Sequence, residues 1–163
     1  MLPVMTLRVR KFALIVHVIA SVGWLGAVVG FLAHAVAGLA SQDAQTVRAA
    51  YLMMAVTGWF VLVPLSIASL FTGLVQSLGT AWGLFRHYWI IAKLAITVFA
   101  TAVLLIYMQT LDKMAAIAAK TTFSTADFGG HHGAASPLIH ASLALLLLVV
   151  CVILSVYKPW GMT

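Results

Sequence analysis

The sequence predicts an all-α membrane protein built as a bundle of four transmembrane helices. Hydrophobic residues make up 64% of its 163 residues and charged residues 7%, whereas a soluble domain carries about 25% charged residues. Its mean hydropathy is +1.12. Four continuously apolar runs, at about 12–37, 51–76, 88–110 and 137–157, exceed the roughly 20 residues that cross a hydrocarbon core. Continuous rather than alternating runs favour helices over a β-barrel, and residues 1–163 form one domain.

The first run is longer than a bilayer requires and carries a histidine near each end. Between Phe12 and about Ala37 it contains no Asp, Glu, Lys or Arg. An ionisable side chain inside such a span is costly, so His17 is a candidate functional residue. Ser21 and Trp24 follow it at spacings of four and seven, which places them on the same helical face.

The second histidine of this run, His34, lies roughly 25 Å from His17 along the helix axis, so the two cannot share one small site. Between them, Gly26 and Gly30 form a GxxxG pair, a pattern typical of close approach by another helix or a flat ligand. A cleaved signal peptide is the competing interpretation of residues 8–37. It is disfavoured because the apolar stretch is about twice the usual 7–15 residues.

The second run is interrupted by Pro64, which removes a backbone hydrogen bond and predicts a kink. A stripe of small and weakly polar residues follows the proline at near-helical spacing, formed by Ser66, Ser69, Gly73 and Gln76. This stripe predicts either a lining for a cofactor or simple packing between helices.

The third run begins with polar residues and carries a lysine inside the span. Arg86 and His87 precede it, and Lys93 follows one and a half turns later. Lys93 either extends to the membrane surface or faces the bundle and pairs with an anionic group such as a porphyrin propionate. The alanine-rich segment 112–120 predicts an extension of this helix beyond the membrane.

A flexible connection is predicted over residues 124–136. It holds His131 and His132 among glycines, which are either solvated or bind a divalent metal, and the sequence does not decide their role. Ser136 and Pro137 then have the pattern of an N-cap and a first helical residue, which starts the fourth helix and puts His140 in its first turn.

Basic residues predict the orientation. If the helices alternate, five basic residues fall on one side, namely Arg8, Arg10, Lys11, Arg86 and Lys158, and three on the other, namely Arg48, Lys113 and Lys120. The positive-inside rule then puts both termini in the cytoplasm of a multi-pass protein of the bacterial inner membrane. The formal charge of +6 suits anionic lipid headgroups, and no feature calls for nucleic acid.

Depth sorts the four membrane histidines into two expected pairs, with His17 near His87 at one end and His34 near His140 at the other. Membrane four-helix bundles hold haem between facing helices through such histidines, because neutral imidazole is a good axial ligand. The expected cofactor is therefore haem b, one or two per chain. The single cysteine, Cys151, offers no disulfide or thiolate cluster.

His17 followed by Trp24-Leu25-Gly26, together with Trp89-Ile90-Ile91-Ala92-Lys93-Leu94, resembles the pattern of the CopD-like and HemJ-like small membrane proteins. It is similar as well to a related family of four-helix integral membrane proteins with no assigned function, which is the nearest fit. The HemJ-like resemblance implies haem bound through His17 and a functional role for Lys93 in protoporphyrinogen oxidation. The CopD-like resemblance implies copper handling.

The leading hypothesis is a haem-binding membrane protein for electron transfer or redox chemistry. His17 is expected as the principal axial ligand, His87 or a second group as the opposite ligand, and Arg86 or Lys93 as partners of the propionates. Trp24 is included in this cofactor site. A quinone or a redox protein is the candidate partner, and whether the protein is an enzyme, as a haem-dependent oxidoreductase, stays open.

Two alternatives come from other classes. Four methionines, Met53, Met54, Met108 and Met114, are expected at the depth of His34 and His140. Thioether and imidazole ligands suit copper(I), which makes copper binding or transport the first alternative. The second is a non-enzymatic accessory subunit of a membrane complex, and a homo-oligomer is compatible with either.

Overall fold

The computed structural model describes residues 5–80, 83–84, 87–120 and 130–158, and these are helical nearly throughout. The helices are α1 (Leu7–Ala40), α2 (Ala44–Thr57), α3 (Val63–Leu78), α4 (Tyr88–Ala118) and α5 (Gly130–Tyr157), and a π-helical turn (Gly58–Leu62) joins α2 to α3. Within the described residues, four helical segments are long and apolar enough to cross a bilayer: α1, the continuous α2 to α3 helix, α4, and most of α5. The predicted four-helix membrane architecture is therefore confirmed.

The four segments form a ring in which each packs against two neighbours. Helix α1 packs against the α2 to α3 helix and against α5, and α4 completes the ring by packing against the same two. We call the end of the bundle that holds residues 7, 78, 88 and 157 the terminal end. The end that holds residues 40, 44, 118 and 130 is the connection end. The backbone N–H of Met5 donates a hydrogen bond to Gly79 O, at 3.1 Å, which connects the start of α1 to the end of α3.

At the connection end, helix α2 begins at Ala44, seven residues before the apolar run expected at 51. Asp43 caps it, because its carboxylate accepts hydrogen bonds from the backbone N–H of Gln45 and Thr46. Arg48 then reaches across the bundle, where its Nε donates to Ala118 O at 2.8 Å and its guanidinium also bonds Lys120 O. These carbonyls at the end of α4 lack helical partners, so Arg48 closes that helix.

The kink expected at Pro64 takes the form of the π-helical turn just before it. Proline cannot donate a hydrogen bond to the preceding turn, and here the N–H of Val63 bonds Gly58 O, five residues back. Gly58 also packs closely against α4. A Cβ added at Gly58 would lie 2.7 Å from Met108 Sδ, so the absence of a side chain lets the two helices meet.

Helix α5 starts at Gly130, so the helix start predicted at Ser136 and Pro137 is wrong. Pro137 lies inside the helix, and the Ser136 hydroxyl bonds the Tyr107 hydroxyl at 3.0 Å instead of capping. A proline within a membrane helix is tolerated where neighbouring groups satisfy the local polar atoms. Residues 124–129 of the expected flexible connection lie outside the described residues. Helix α4 reaches Ala118, which confirms the predicted extension.

The hydrophobic core is concentrated towards the connection end. Its largest members come from α1, α2 and α4, and they include Trp24, Phe31, Tyr51, Met54, Tyr107, Met108 and Leu111, while α5 contributes Ala141 and Leu148. Met54 and Met108 are completely buried. This half of the bundle is the more densely packed of the two, and the larger opening among the described residues lies towards the terminal end.

The glycine pair of α1 does not pack within the chain. No described atom lies within 4 Å of a Cβ added at Gly26 or Gly30, and both glycines are exposed. The expected close approach at this pair is therefore not made by any helix of this chain. The close approaches occur at other glycines, of which Gly58 is the tightest with a core side chain.

We expect Gly58→Ala to lower the free energy of unfolding by about 1–3 kcal/mol, because the new methyl group overlaps Met108 in a packed core. Gly26→Ala is the matched control, since its methyl group meets open space and alanine has the higher helix propensity. Thermal unfolding followed by circular dichroism in one detergent measures both. Equal effects of the two substitutions would contradict the packing assigned to Gly58.

Asp43 makes the helix cap sensitive to acid. The Thr46 hydroxyl, followed by the backbone N–H groups of Thr46 and Gln45, holds the pKa of Asp43 below its ordinary value of 3.8. A lowered pKa means that the cap stabilises the fold fully above about pH 4 and that this stabilisation is lost as pH falls through the folded-state pKa.

The test compares thermal unfolding of the wild type and Asp43→Asn between about pH 6 and pH 3. Asparagine caps helices about as well but does not titrate, so the variant should lose less stability over this interval. Parallel pH curves for the two proteins would show that the cap does not carry the acid dependence.

Candidate functional site

A cavity of about 550 Å³ opens between α1, α3, α4 and α5 in the terminal half of the bundle. We call it the large cavity. Its volume falls in the range of about 300–1,000 Å³ that small-molecule and cofactor sites occupy. Its wall is apolar for the most part, but polar side chains from all four helices reach it: His17, Ser21, Ser69, Gln76, Ser77, Thr80, Lys93, Thr97, Cys151, Ser155 and Lys158.

On the α1 side, His17 is held by a hydrogen bond that defines its free nitrogen. His17 Nδ1 lies 3.0 Å from Thr72 Oγ1, and the Thr72 hydroxyl itself lies 2.6 Å from Ala68 O. A backbone carbonyl can only accept, so the Thr72 proton goes to Ala68 and Nδ1 must donate to Thr72. The neutral ring then carries its lone pair on Nε2, the form that binds a metal.

A glycine on α3 makes room for this ring. A Cβ added at Gly73 would lie 3.3 Å from His17 Cε1, which is tighter than an ordinary contact. Gly73 belongs to the stripe that the sequence singled out, and so do Ser69 and Gln76, which also line the large cavity. Ser66 is the exception, because it is fully buried and its hydroxyl donates to Val63 O.

On the opposite side, Lys93 turns into the bundle. Its Nζ donates to Ser155 Oγ at 2.5 Å and lies 5.7 Å from the centre of the Trp89 ring. The Ser155 hydroxyl donates in turn to Cys151 O at 2.8 Å. Of the two alternatives for Lys93, the structure therefore supports the one in which its side chain faces the interior of the bundle.

Three other polar residues in the wall of the large cavity, Ser21, Ser69 and Gln76, differ in whether they have hydrogen-bond partners. Ser21 and Ser69 pair through their hydroxyls at 2.8 Å, which satisfies both within the membrane. Gln76 Nε2, in contrast, is buried and has no hydrogen-bond partner among the described residues. A buried donor left without a partner costs about 1–3 kcal/mol, so this amide is available for a bound group or a water molecule.

The large cavity is electropositive. Lys93 and Lys158 line it, and no acidic residue of the described chain does. The sequence has three acidic residues, and the one within a described span, Asp112, lies near the connection end of α4, where it accepts a hydrogen bond from Trp59. A site of this kind favours a ligand that combines a large apolar surface with an anionic group.

The structure does not bring His87, the expected partner of His17, to the large cavity. His87 lies at the start of α4, with its ring centre 6.1 Å from that of Trp89, and it does not line the large cavity. The structure therefore brings His17, Trp24 and Lys93 together at one cavity but not His87. Arg86 lies outside the described residues.

The expected pair at the connection end is not brought together in a cavity. His34 bonds the carbonyl of Gly30 in its own helix, at 2.8 Å from Nδ1. His140 lines a separate cavity of about 190 Å³, the small cavity, in which His34 takes no part. The small cavity has about a third of the volume of the large one, so it is too small to enclose a porphyrin.

The four methionines behave as packing residues. Met54 and Met108 are fully buried and Met114 is nearly so, all three in the hydrophobic core. Met53 is 46% exposed on the outer surface. Among the described residues no group of three histidine, cysteine or acidic side chains is arranged to hold a metal ion. Copper binding stays a prediction without an observation in its favour.

Two contributors of α5 to the large cavity were not identified as site residues from the sequence. Cys151 and Ser155 are the polar residues that α5 places on the wall, and Ser155 holds Lys93. Their spacing of four within an otherwise apolar run is the signal that could have found them, because it puts both on one helical face.

The chain matches no protein-family model, no curated protein and no solved structure. The resemblance of His17 and Lys93 to the pattern of small membrane proteins stays a prediction.

We predict that Thr72→Val changes the tautomer of His17. Valine removes the hydroxyl that accepts the Nδ1–H, and this bond, with a weaker contribution from the backbone of Ser69, is what keeps the proton on Nδ1. Nitrogen-15 NMR of histidine-labelled protein distinguishes the two tautomers. Ser77→Ala is the control, because Ser77 lines the same cavity but bonds Gly73 O in its own helix. An unchanged His17 spectrum in Thr72→Val would overturn the assigned bond direction.

Proposed function

We propose that this protein binds haem b within the membrane and serves electron transfer or redox chemistry. The observation that carries the proposal is that His17 of α1 and Lys93 of α4, distant in sequence, line one cavity. An imidazole with an unprotonated nitrogen suits haem iron, and an ammonium suits a propionate. These are the two groups that the resemblance to HemJ-like proteins implies.

The residues of the large cavity fit a haem in three respects. Its volume of about 550 Å³ and apolar wall suit a flat, largely apolar macrocycle. His17 Nε2 is left free by the bond at Nδ1, and the backbone of Gly73 gives the ring space. The positive charge of Lys93 and Lys158 suits two propionates, as does the donor of Gln76.

In this proposal each residue has a separate task. His17 ligates the iron through Nε2, and Thr72 orients the ring from behind. Lys93 binds a propionate and is itself positioned by Ser155. Trp24 closes the cavity on the side of the packed core. When bound, the haem supplies one-electron redox chemistry, and the protein supplies the ligand, the charge and the exclusion of water.

The proposal is for one haem per chain. His87 does not line the large cavity and the small cavity is too small for a porphyrin, so the second site expected at His34 and His140 has no supporting geometry. The basic residues support the proposed orientation, in which both termini lie in the cytoplasm. That the membrane is a bacterial inner membrane stays a prediction.

The test is the reduced-minus-oxidised visible spectrum of the purified protein, with pyridine haemochrome quantitation. We expect b-type bands and about one haem per chain, because one cavity fits. His17→Ala should lose the bands, whereas His34→Ala, which replaces a histidine outside the cavity, should keep them. Absence of haem after reconstitution, or loss of haem from both variants alike, would contradict the proposal.

The role of Lys93 is tested in the same preparation. Lys93→Met keeps the length and apolar stem of the side chain but removes the charge, so haem should be lost to a soluble acceptor about tenfold more readily. Lys113→Met, outside the cavity, is the control. Equal retention by the two variants would remove Lys93 from the site without affecting the assignment of His17.

A further inference from the structure

The small cavity lies between α1, α4 and α5 in the connection half of the bundle, and its volume is about 190 Å³. Trp24 lines both cavities and separates the small one from the large one. The wall of the small cavity is apolar, and the lining residues that carry polar side-chain atoms are Trp24, Tyr107 and His140. The proposed haem site does not use Tyr107 or His140.

Tyr107 and His140 form a fixed pair at this cavity. Their rings stack with centres 3.9 Å apart and planes 17° from parallel. The Tyr107 hydroxyl bonds Ser136 Oγ at 3.0 Å, and His140 Nδ1 lies 2.9 Å from Ser136 O. Ser136 therefore holds both rings, and neither can rotate without breaking a hydrogen bond.

The bond to Ser136 also defines the chemistry of His140. A backbone carbonyl can only accept, so Nδ1 carries the proton and donates it. The lone pair of the neutral ring is then on Nε2, and in the described residues no hydrogen bond is made there. His140 Nε2 is thus a hydrogen-bond acceptor in apolar surroundings. The small cavity therefore favours a ligand that donates a hydrogen bond.

The mouth of the small cavity faces lipid. Phe99 of α4 and Leu143 of α5 line it and are 61% and 55% exposed on the outer surface of the bundle. A cavity of this volume is below the range of about 300–1,000 Å³ that encloses a whole cofactor, but it accommodates one ring. The remainder of such a ligand stays in the bilayer, so the ligand must be lipid-soluble.

We propose that the small cavity binds the ring of a lipid-soluble quinol, whose hydroxyl donates a hydrogen bond to His140 Nε2. Aromatic walls at Trp24, Phe31 and Phe99 suit a flat ring, and the phenolic hydroxyl is a stronger donor than that of an aliphatic alcohol. The isoprenoid tail leaves between α4 and α5 into the lipid. This site does not depend on the large cavity holding a haem.

The experiment measures binding of decylubiquinol, of its dimethyl ether and of dodecanol to the full chain in nanodiscs, with binding to empty nanodiscs subtracted. The ether keeps the ring but cannot donate, and the alcohol donates but has no ring. We expect the wild type to bind the quinol about three- to tenfold more tightly than the ether, which is the effect of one neutral hydrogen bond.

Two variants locate the binding. His140→Leu removes the acceptor, so the preference for quinol over ether should disappear. Ala144→Phe fills the small cavity and should abolish binding, whereas Ala102→Phe, on the exposed surface of α4, should not. Because His140→Leu is read as a ratio of two ligands, it stays informative even if Ala144→Phe does not fold.

The outcomes that overturn the proposal are equally specific. Equal binding of quinol and ether by the wild type would show that His140 accepts no hydrogen bond from the ligand. Dodecanol bound as tightly as the quinol would make the cavity a site for any lipid alcohol. Binding by Ala144→Phe equal to that of Ala102→Phe would place the quinol elsewhere. Each result holds whether or not the haem assignment survives.

Discussion

The cost of leaving a polar group without a partner inside the membrane governs this structure. Hydrocarbon offers no hydrogen bonds, so a histidine or a lysine within a span must be satisfied by neighbouring helices. Three pairs do this in the terminal half, namely His17 with Thr72, Ser21 with Ser69, and Lys93 with Ser155. Each joins two different helices, so the polar residues that would line a ligand site also hold the helices around it.

This requirement divides the bundle into two functional parts. The connection half is filled by large apolar side chains around the small cavity, whereas the terminal half leaves a large cavity with polar side chains in its wall. Trp24, 2% exposed, lies at the boundary and contacts both spaces. If the two proposed sites are occupied together, the indole of Trp24 separates a quinol ring from a haem, on a line that runs along the bundle.

Both proposed sites use the same physical device. In each, an acceptor fixes the Nδ1 proton of a histidine and leaves Nε2 free to bind a ligand. The acceptor is the Thr72 hydroxyl at His17 and the Ser136 carbonyl at His140. The surroundings then decide which kind of ligand Nε2 can bind. A wide electropositive cavity suits an anionic metal cofactor, and a narrow apolar one suits a neutral ring.

The sequence by itself determined the class of protein and the number of spans, and it singled out His17 and Lys93 as candidate residues, because length, hydropathy and the cost of a buried charge are local properties. It also placed His17 and Trp24 on one helical face. It did not determine the start of α5, because tertiary contacts of Ser136 override its capping pattern. Nor did it determine which residues surround Lys93. Depth alone paired His17 with His87 and His34 with His140, but depth says nothing about rotation around a helix axis. Which face of each helix turns inward is decided by packing between spans, and only the tertiary structure shows it.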